Sequence, residues 1–170
     1  MTGIVLNQVV RVCVVVVWLS TLVACGGSDR VSAPTPVIPV VQGTWSGDYT
    51  VAGCNDQSAP GFCAGFQPVG SVLPVRMTLT QTGQHLTGSV ELGAIAIPVT
   101  GTVNASSRVV LTGSVTIPID ELSSTVTLVN WDTVVSGSNM TGGWRTTFTI
   151  PGFVGAPFVE STIRAVTKTG

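Results

Sequence analysis

From Gly43 to the C-terminus, apolar and polar side chains alternate with a period of two rather than 3.6. Such alternation puts successive side chains on opposite faces of an extended chain. It commits this part of the sequence to β-strands with one buried face, and no stretch after residue 42 has a helical period. In residues 43–51, Gly43, Trp45, Gly47, Tyr49 and Val51 share one face. The same reading covers 73–81 (Leu73, Val75, Met77, Leu79) and 85–92 (Leu86, Gly88, Val90, Leu92). It continues over 95–103 (Ile95, Ile97, Val99, Gly101, Val103) and 108–117 (Val109, Leu111, Gly113, Val115, Ile117). It ends with 140–150 (Met140, Gly142, Trp144, Thr146, Phe148, Ile150) and 159–168 (Val159, Ser161, Ile163, Ala165). Residues 125–135 break the rule, because Asn130 and Asp132 share a parity with Val126 and Leu128. Either those two polar side chains face inward, or a bulge near residue 130 switches the faces.

Short polar links at 82–84, 104–107 and 136–139 have the composition of hairpin turns. Eight strands so connected predict an all-β, antiparallel up-and-down meander. Five strands carry a mid-strand glycine on the apolar face: Gly47, Gly88, Gly101, Gly113 and Gly142. Glycine weakens a strand interior, so its repetition needs a reason, and bending at the corners of a small barrel is one. A sandwich could use such glycines for close packing, but closure also removes edges through which so uncharged a sheet would aggregate. The expectation is an eight-stranded barrel over residues 43–170. A membrane-spanning barrel also alternates, with its apolar face outward. Against it, the strands before Trp131 hold only Trp45 and Tyr49 for an aromatic girdle. Only 9% of the 170 residues are charged, and the net charge is -1. That excludes an electrostatic nucleic-acid binder, which needs a basic stripe.

The N-terminus reads as an address. Arg11 precedes a continuous apolar run from Val12 to Ala24, shorter than a spanning helix needs. A charged start, a short apolar run and small residues at its end describe a secretory signal. Its ending, Leu22-Val23-Ala24-Cys25, resembles the lipobox of bacterial lipoproteins. The resemblance implies cleavage after residue 24 and lipidation of Cys25. Acyl chains contribute about 0.8 kcal/mol per buried methylene to membrane anchoring. Gly26 rather than Asp after the Cys implies the outer membrane, facing either the periplasm or the cell surface. Residues 25–42 then form the lipidated Cys and a tether, in which Pro34, Pro36 and Pro39 favour an extended chain.

Of four cysteines, Cys13 leaves with the signal and Cys25 carries lipid. Cys54 and Cys63 remain, and in an exported protein they are expected to form a structural disulfide. Two Cys without a nearby His make half a zinc site at best, so no metal is expected. Redox pairs usually show C-x-x-C spacing, which this pair lacks. The bond would pin a long loop near the barrel mouth.

Gly43-Thr44-Trp45 opening the first of eight meander strands resembles the calycin barrels, the lipocalins and avidins. The Leu86-Thr87-Gly88 motif is similar to avidin strands. The resemblance implies that Trp45 closes one barrel end under a basic residue from near the last strand. Arg164 would be that residue, but parity places it outside with Glu160 and Lys168. The Thr-Asp-Tyr loop of lipocalins is absent and nothing matches the avidin biotin site, so no ligand carries over.

The residues offer little for catalysis. His85 falls on a polar face, Asp120-Glu121 is an isolated pair, and Asp48, Asp132 and Glu160 lie on different strands. No phosphate-cradling or dinucleotide glycine pattern occurs. An enzyme and a cofactor are therefore not expected. Two other functions fit. In the first, the barrel holds a small apolar ligand: inward glycines leave room, Trp144, Phe148, Met140 and Trp131 form a wall, and Asn130 and Asp132 supply polar anchors. In the second, a filled barrel meets an envelope protein through loops 52–72 and 151–158, with Phe62, Phe66, Phe153 and Phe158 as anchors.

Overall fold

The computed structural model describes residues 35–119 and 122–170. The signal segment, Cys25, the first part of the tether and the Asp120-Glu121 pair lie outside the described residues. The chain forms a closed barrel whose eight strands follow one another in sequence order. They are β1 (Gly43–Asn55), β2 (Val72–Thr82), β3 (His85–Leu92), β4 (Ile95–Val103), β5 (Arg108–Ile119), β6 (Leu122–Ser136), β7 (Asn139–Thr149) and β8 (Phe158–Lys168). Every neighbouring pair is antiparallel, and β8 returns to pair with β1. The apolar face of each strand is the inside, and the outward faces carry mainly Thr and Ser. That polarity is the reverse of a membrane-spanning barrel.

The mid-strand glycines mark where strands approach most closely. A Cβ on Gly47 would fall on the Ala165 carbonyl of β8, and one on Gly88 on the Thr78 carbonyl of β2. Gly101 and Gly113 meet the Val110 and Pro98 carbonyls in the same way, and Gly142 meets that of Asp132. The expectation that these glycines leave room for a ligand is therefore corrected. The space their side chains would take is filled by the backbone of the adjacent strand, as tight coiling of a small barrel requires.

Bulges in β6 and β8 reset the faces. In β6 the pairing with β7 shifts between Val129 and Asp132, and Asn130 adopts a left-handed φ of 54°. The apolar face passes from Val126 and Leu128 to Trp131, Thr133 and Val135, all buried. The bulge alternative is thus the one the chain adopts. In β8 the pairing with β1 shifts at Arg164, so Ala165 is exposed and Val166 is buried instead. The inward assignment of Ala165 is corrected. An added residue reverses every later side chain, because the strand period is two. Lys168 consequently joins the parity of Val166 at the barrel end.

Two local features depart from the sequence reading. A five-residue helix, α1 (Phe62–Phe66), sits in the first long loop. The compact unit begins at Pro36, ahead of the first strand. Residues 35–42 are not a strand, yet Val41 is fully buried and Ile38 packs on the core.

Candidate functional site

The two barrel ends are built differently. At the base, Trp45 is fully buried and donates its indole N–H to the Val41 carbonyl at 2.9 Å. Gln81 clamps the incoming chain, accepting from the Val41 amide at 2.7 Å and donating to the Pro39 carbonyl at 2.9 Å. The Lys168 ammonium lies 6.0 Å from the centre of the Trp45 ring, at the outer limit of a cation–π contact. The basic residue over Trp45 is Lys168 rather than Arg164, for the bulge described above.

The middle of the barrel is filled. Trp131 and Trp144 stack with ring centres 4.4 Å apart and planes 15° apart. Tyr49 packs against the other side of the group, 4.9 Å from Trp144. The Trp131 N–H donates to the Thr133 hydroxyl at 3.0 Å, whereas the buried Trp144 N–H has no partner among the described residues. Met140 and Phe148 complete the predicted wall and are buried. Four predicted ligand residues, Trp144, Phe148, Met140 and Trp131, thus face one interior, in contact with a packed core. The other two face outward, although Asn130 borders a surface hollow that Trp144 also lines. Asp132 is on the outer face, 48% exposed, where it accepts a two-pronged hydrogen bond from Arg108. Asn130 is exposed at the bulge. Their role as interior anchors is corrected, because the bulge turns both outward. The Arg108 hydrogen bonds hold the Asp132 carboxyl below the usual carboxylate range. Such an exposed pair adds little to stability.

The mouth is covered by the predicted disulfide loop. Cys54 at the end of β1 is bonded to Cys63 in α1. The bond brings Phe62 and Phe66 over the rim, where both rings pack on Phe148 at 4.9 and 5.2 Å. Gln67, just after the helix, donates its amide to the Tyr49 hydroxyl at 3.3 Å. Beside this cover lies a depression of about 200 Å3 between Tyr49, Phe66, Gln67, Leu73, Leu92 and Ile95. Sequence reasoning found the disulfide and the two Phe residues, but missed the role of Tyr49 and Gln67. A lone Tyr in an apolar stripe looks like any core residue, and only the loop's return over the mouth brings Gln67 to it.

Not all four loop Phe residues are exposed anchors. Phe62 is half-buried against Phe148, and Phe158 is half-buried under the Arg145 guanidinium at 4.3 Å. Phe66 and Phe153 remain 43% and 49% exposed. Val154 beside Phe153 is almost wholly exposed. His85 is exposed at the start of β3.

Two measurements check this geometry. Burial pushes the Tyr49 phenol up to about 12, partly offset by the Gln67 hydrogen bond. Tyr49 is the only tyrosine, so absorbance at 295 nm reads it alone. The folded protein is expected to titrate near 12 and the unfolded chain near 10. Because the folded value is the higher, this contribution to stability is complete below pH 10 and is lost as pH rises through 12. A folded midpoint near 10 would contradict the buried phenol. Separately, Cys54→Ser with Cys63→Ser is expected to lower unfolding stability by about 2.5 kcal/mol, through the entropy of the opened loop. Urea titration measures it, and an unchanged midpoint would show that the loop is held without the bond.

No protein-family model and no curated protein matches this chain.

Proposed function

We propose that this chain is an exported, lipid-anchored cell-envelope protein whose β-barrel binds a small apolar ligand at its mouth. The observation that carries the reading is the depression beside Phe66 and Gln67, apolar in most of its lining and overhung by a disulfide-tied cover. Concave, mostly apolar sites with a few placed polar groups are the usual form of small-ligand sites. The lipobox residues Leu22–Cys25 support the export and anchoring, with the outer membrane as the destination. The resemblance to calycin barrels supports ligand binding at a barrel end, and Lys168 over Trp45 adds to the resemblance. In this reading the site lies at the mouth rather than in the interior, because packed side chains fill the middle.

Native mass spectrometry tests this on residues 26–170, which contain the whole compact unit Pro36–Gly170. A native mass above the denatured mass, lost on replacing Leu73 and Ile95 with Asn, is the expected result. A bare native mass from freshly exported protein, with no apolar dye retained, would count against it.

A second reading is favoured by Phe153 and Val154, which stand exposed together in the β7–β8 loop. Here the filled barrel is a rigid module that contacts another envelope protein. Phe153→Ser with Val154→Ser would then abolish co-purification of that protein, whereas the ligand reading leaves it unchanged.

A further inference from the structure

The mouth depression has a chemical character that narrows its ligand, given the ligand-binding reading just stated. Among the described residues, none that lines it is charged. Its polar atoms come from the Tyr49 hydroxyl, the Gln67 amide and the backbone. Tyr49 is 1% exposed, and its oxygen already accepts from Gln67. Among the described residues, no acceptor takes the phenol proton. The unmet hydrogen-bonding capacity of Tyr49 at the depression is therefore that of a neutral donor.

We propose that the mouth binds an uncharged apolar molecule of about one ring, carrying a single hydrogen-bond acceptor that takes the Tyr49 proton. Size follows from volume. The depression of about 200 Å3 holds roughly seven groups of water size, at about 30 Å3 each. A carboxylate is disfavoured because it would lose hydration with no cation to replace it. An ammonium is disfavoured for the same reason, since no carboxylate lines the depression. A ketone, ester or lactone oxygen meets both demands. Tyr49 stays neutral over the physiological range, so it donates to the ligand without becoming charged.

The test uses residues 26–170 and three matched probes: cyclohexanone, cyclohexanecarboxylate and cyclohexylamine at neutral pH. Shifts of the Leu73, Leu92 and Ile95 methyl resonances report binding. The expected result is saturable binding of the ketone at about millimolar concentration, as its few atoms allow, with the ionised probes at least about tenfold weaker. Tyr49→Phe is expected to weaken the ketone about tenfold, the upper end for one neutral hydrogen bond. In the unaltered protein, bound ketone is expected to raise the 295 nm titration midpoint of Tyr49. That readout stands even if the substitution disturbs folding. Equal binding of the carboxylate or the amine, or no response of Tyr49 to the ketone, would overturn the assigned class. Neither outcome would touch the apolar-ligand reading. Failure of all three probes to shift the methyl resonances would overturn both.

Discussion

Replacing Gly101 with Ala is expected to destabilise the barrel by about 3 kcal/mol or more, the high end for overpacking. The added methyl would fall on the Val110 carbonyl oxygen, 2.9 Å from the Leu111 Cα and from one Leu111 methyl. Backbone, unlike the tip of a side chain, cannot step aside alone. Val110 lies opposite Thr102 and Leu111 opposite Gly101 in the β4–β5 ladder, so movement there spreads through the pairing. Gly65→Ala is the control. Nothing lies within 4 Å of a Cβ at Gly65, and its backbone is that of α1, where Ala is favoured over Gly. Urea unfolding followed by circular dichroism compares the two. A loss below about 1 kcal/mol for Gly101→Ala would mean that β4 and β5 are not pressed together as described.

Trp131→Ala is expected to cost about 4 kcal/mol, within the range for deleting a buried aromatic side chain. Trp131 is fully buried, lies against Trp144 at 4.4 Å and satisfies its N–H through Thr133. Its removal opens a cavity at the centre of the barrel and leaves the buried Thr133 hydroxyl without that donor. The coupled near-ultraviolet signal of the two stacked indoles is expected to vanish as well. Trp131→Phe is expected to retain more of the stability than Trp131→Ala, since a ring still fills most of the space. A full-length, folded Trp131→Ala protein with unchanged unfolding midpoint would refute the filled interior.

The same residues show why part of the architecture could be read directly. A strand buries one face, so a correct inward set such as Val75, Met77 and Leu79 is visible from period alone. Strands β3 and β4 match the alternating segments residue for residue for this reason. The repeated glycines likewise signalled closure, because few other needs put glycine mid-strand on the apolar face. Reading them as vacant space failed. Sequence shows that a side chain is missing but not what moves into the gap, and here neighbouring carbonyls do.

Bulges lie on the other side of that boundary. The irregular parity around Asn130 marks the change in β6, while the bulge in β8 leaves no such mark in the sequence. Ile163 and Ala165 continue a plausible alternation, and only the pairing of β1 with β8 forces the shift that exposes Ala165 and buries Val166. Lys168 over Trp45 depends on that shift.

The order of amino acids was thus enough for the strand segments, their apolar faces, the meander and the reason Cys54 should meet Cys63. All of these follow from local periodicity and from residues close in the chain. It took the folded barrel to show that Asp132 pairs outside with Arg108, that the glycine gaps are filled, and that Gln67 meets Tyr49 beside an apolar hollow. Those outcomes depend on register and on the return path of a loop. They join residues separated by many positions, whose approach is set by closure of the whole barrel rather than by any neighbouring residue.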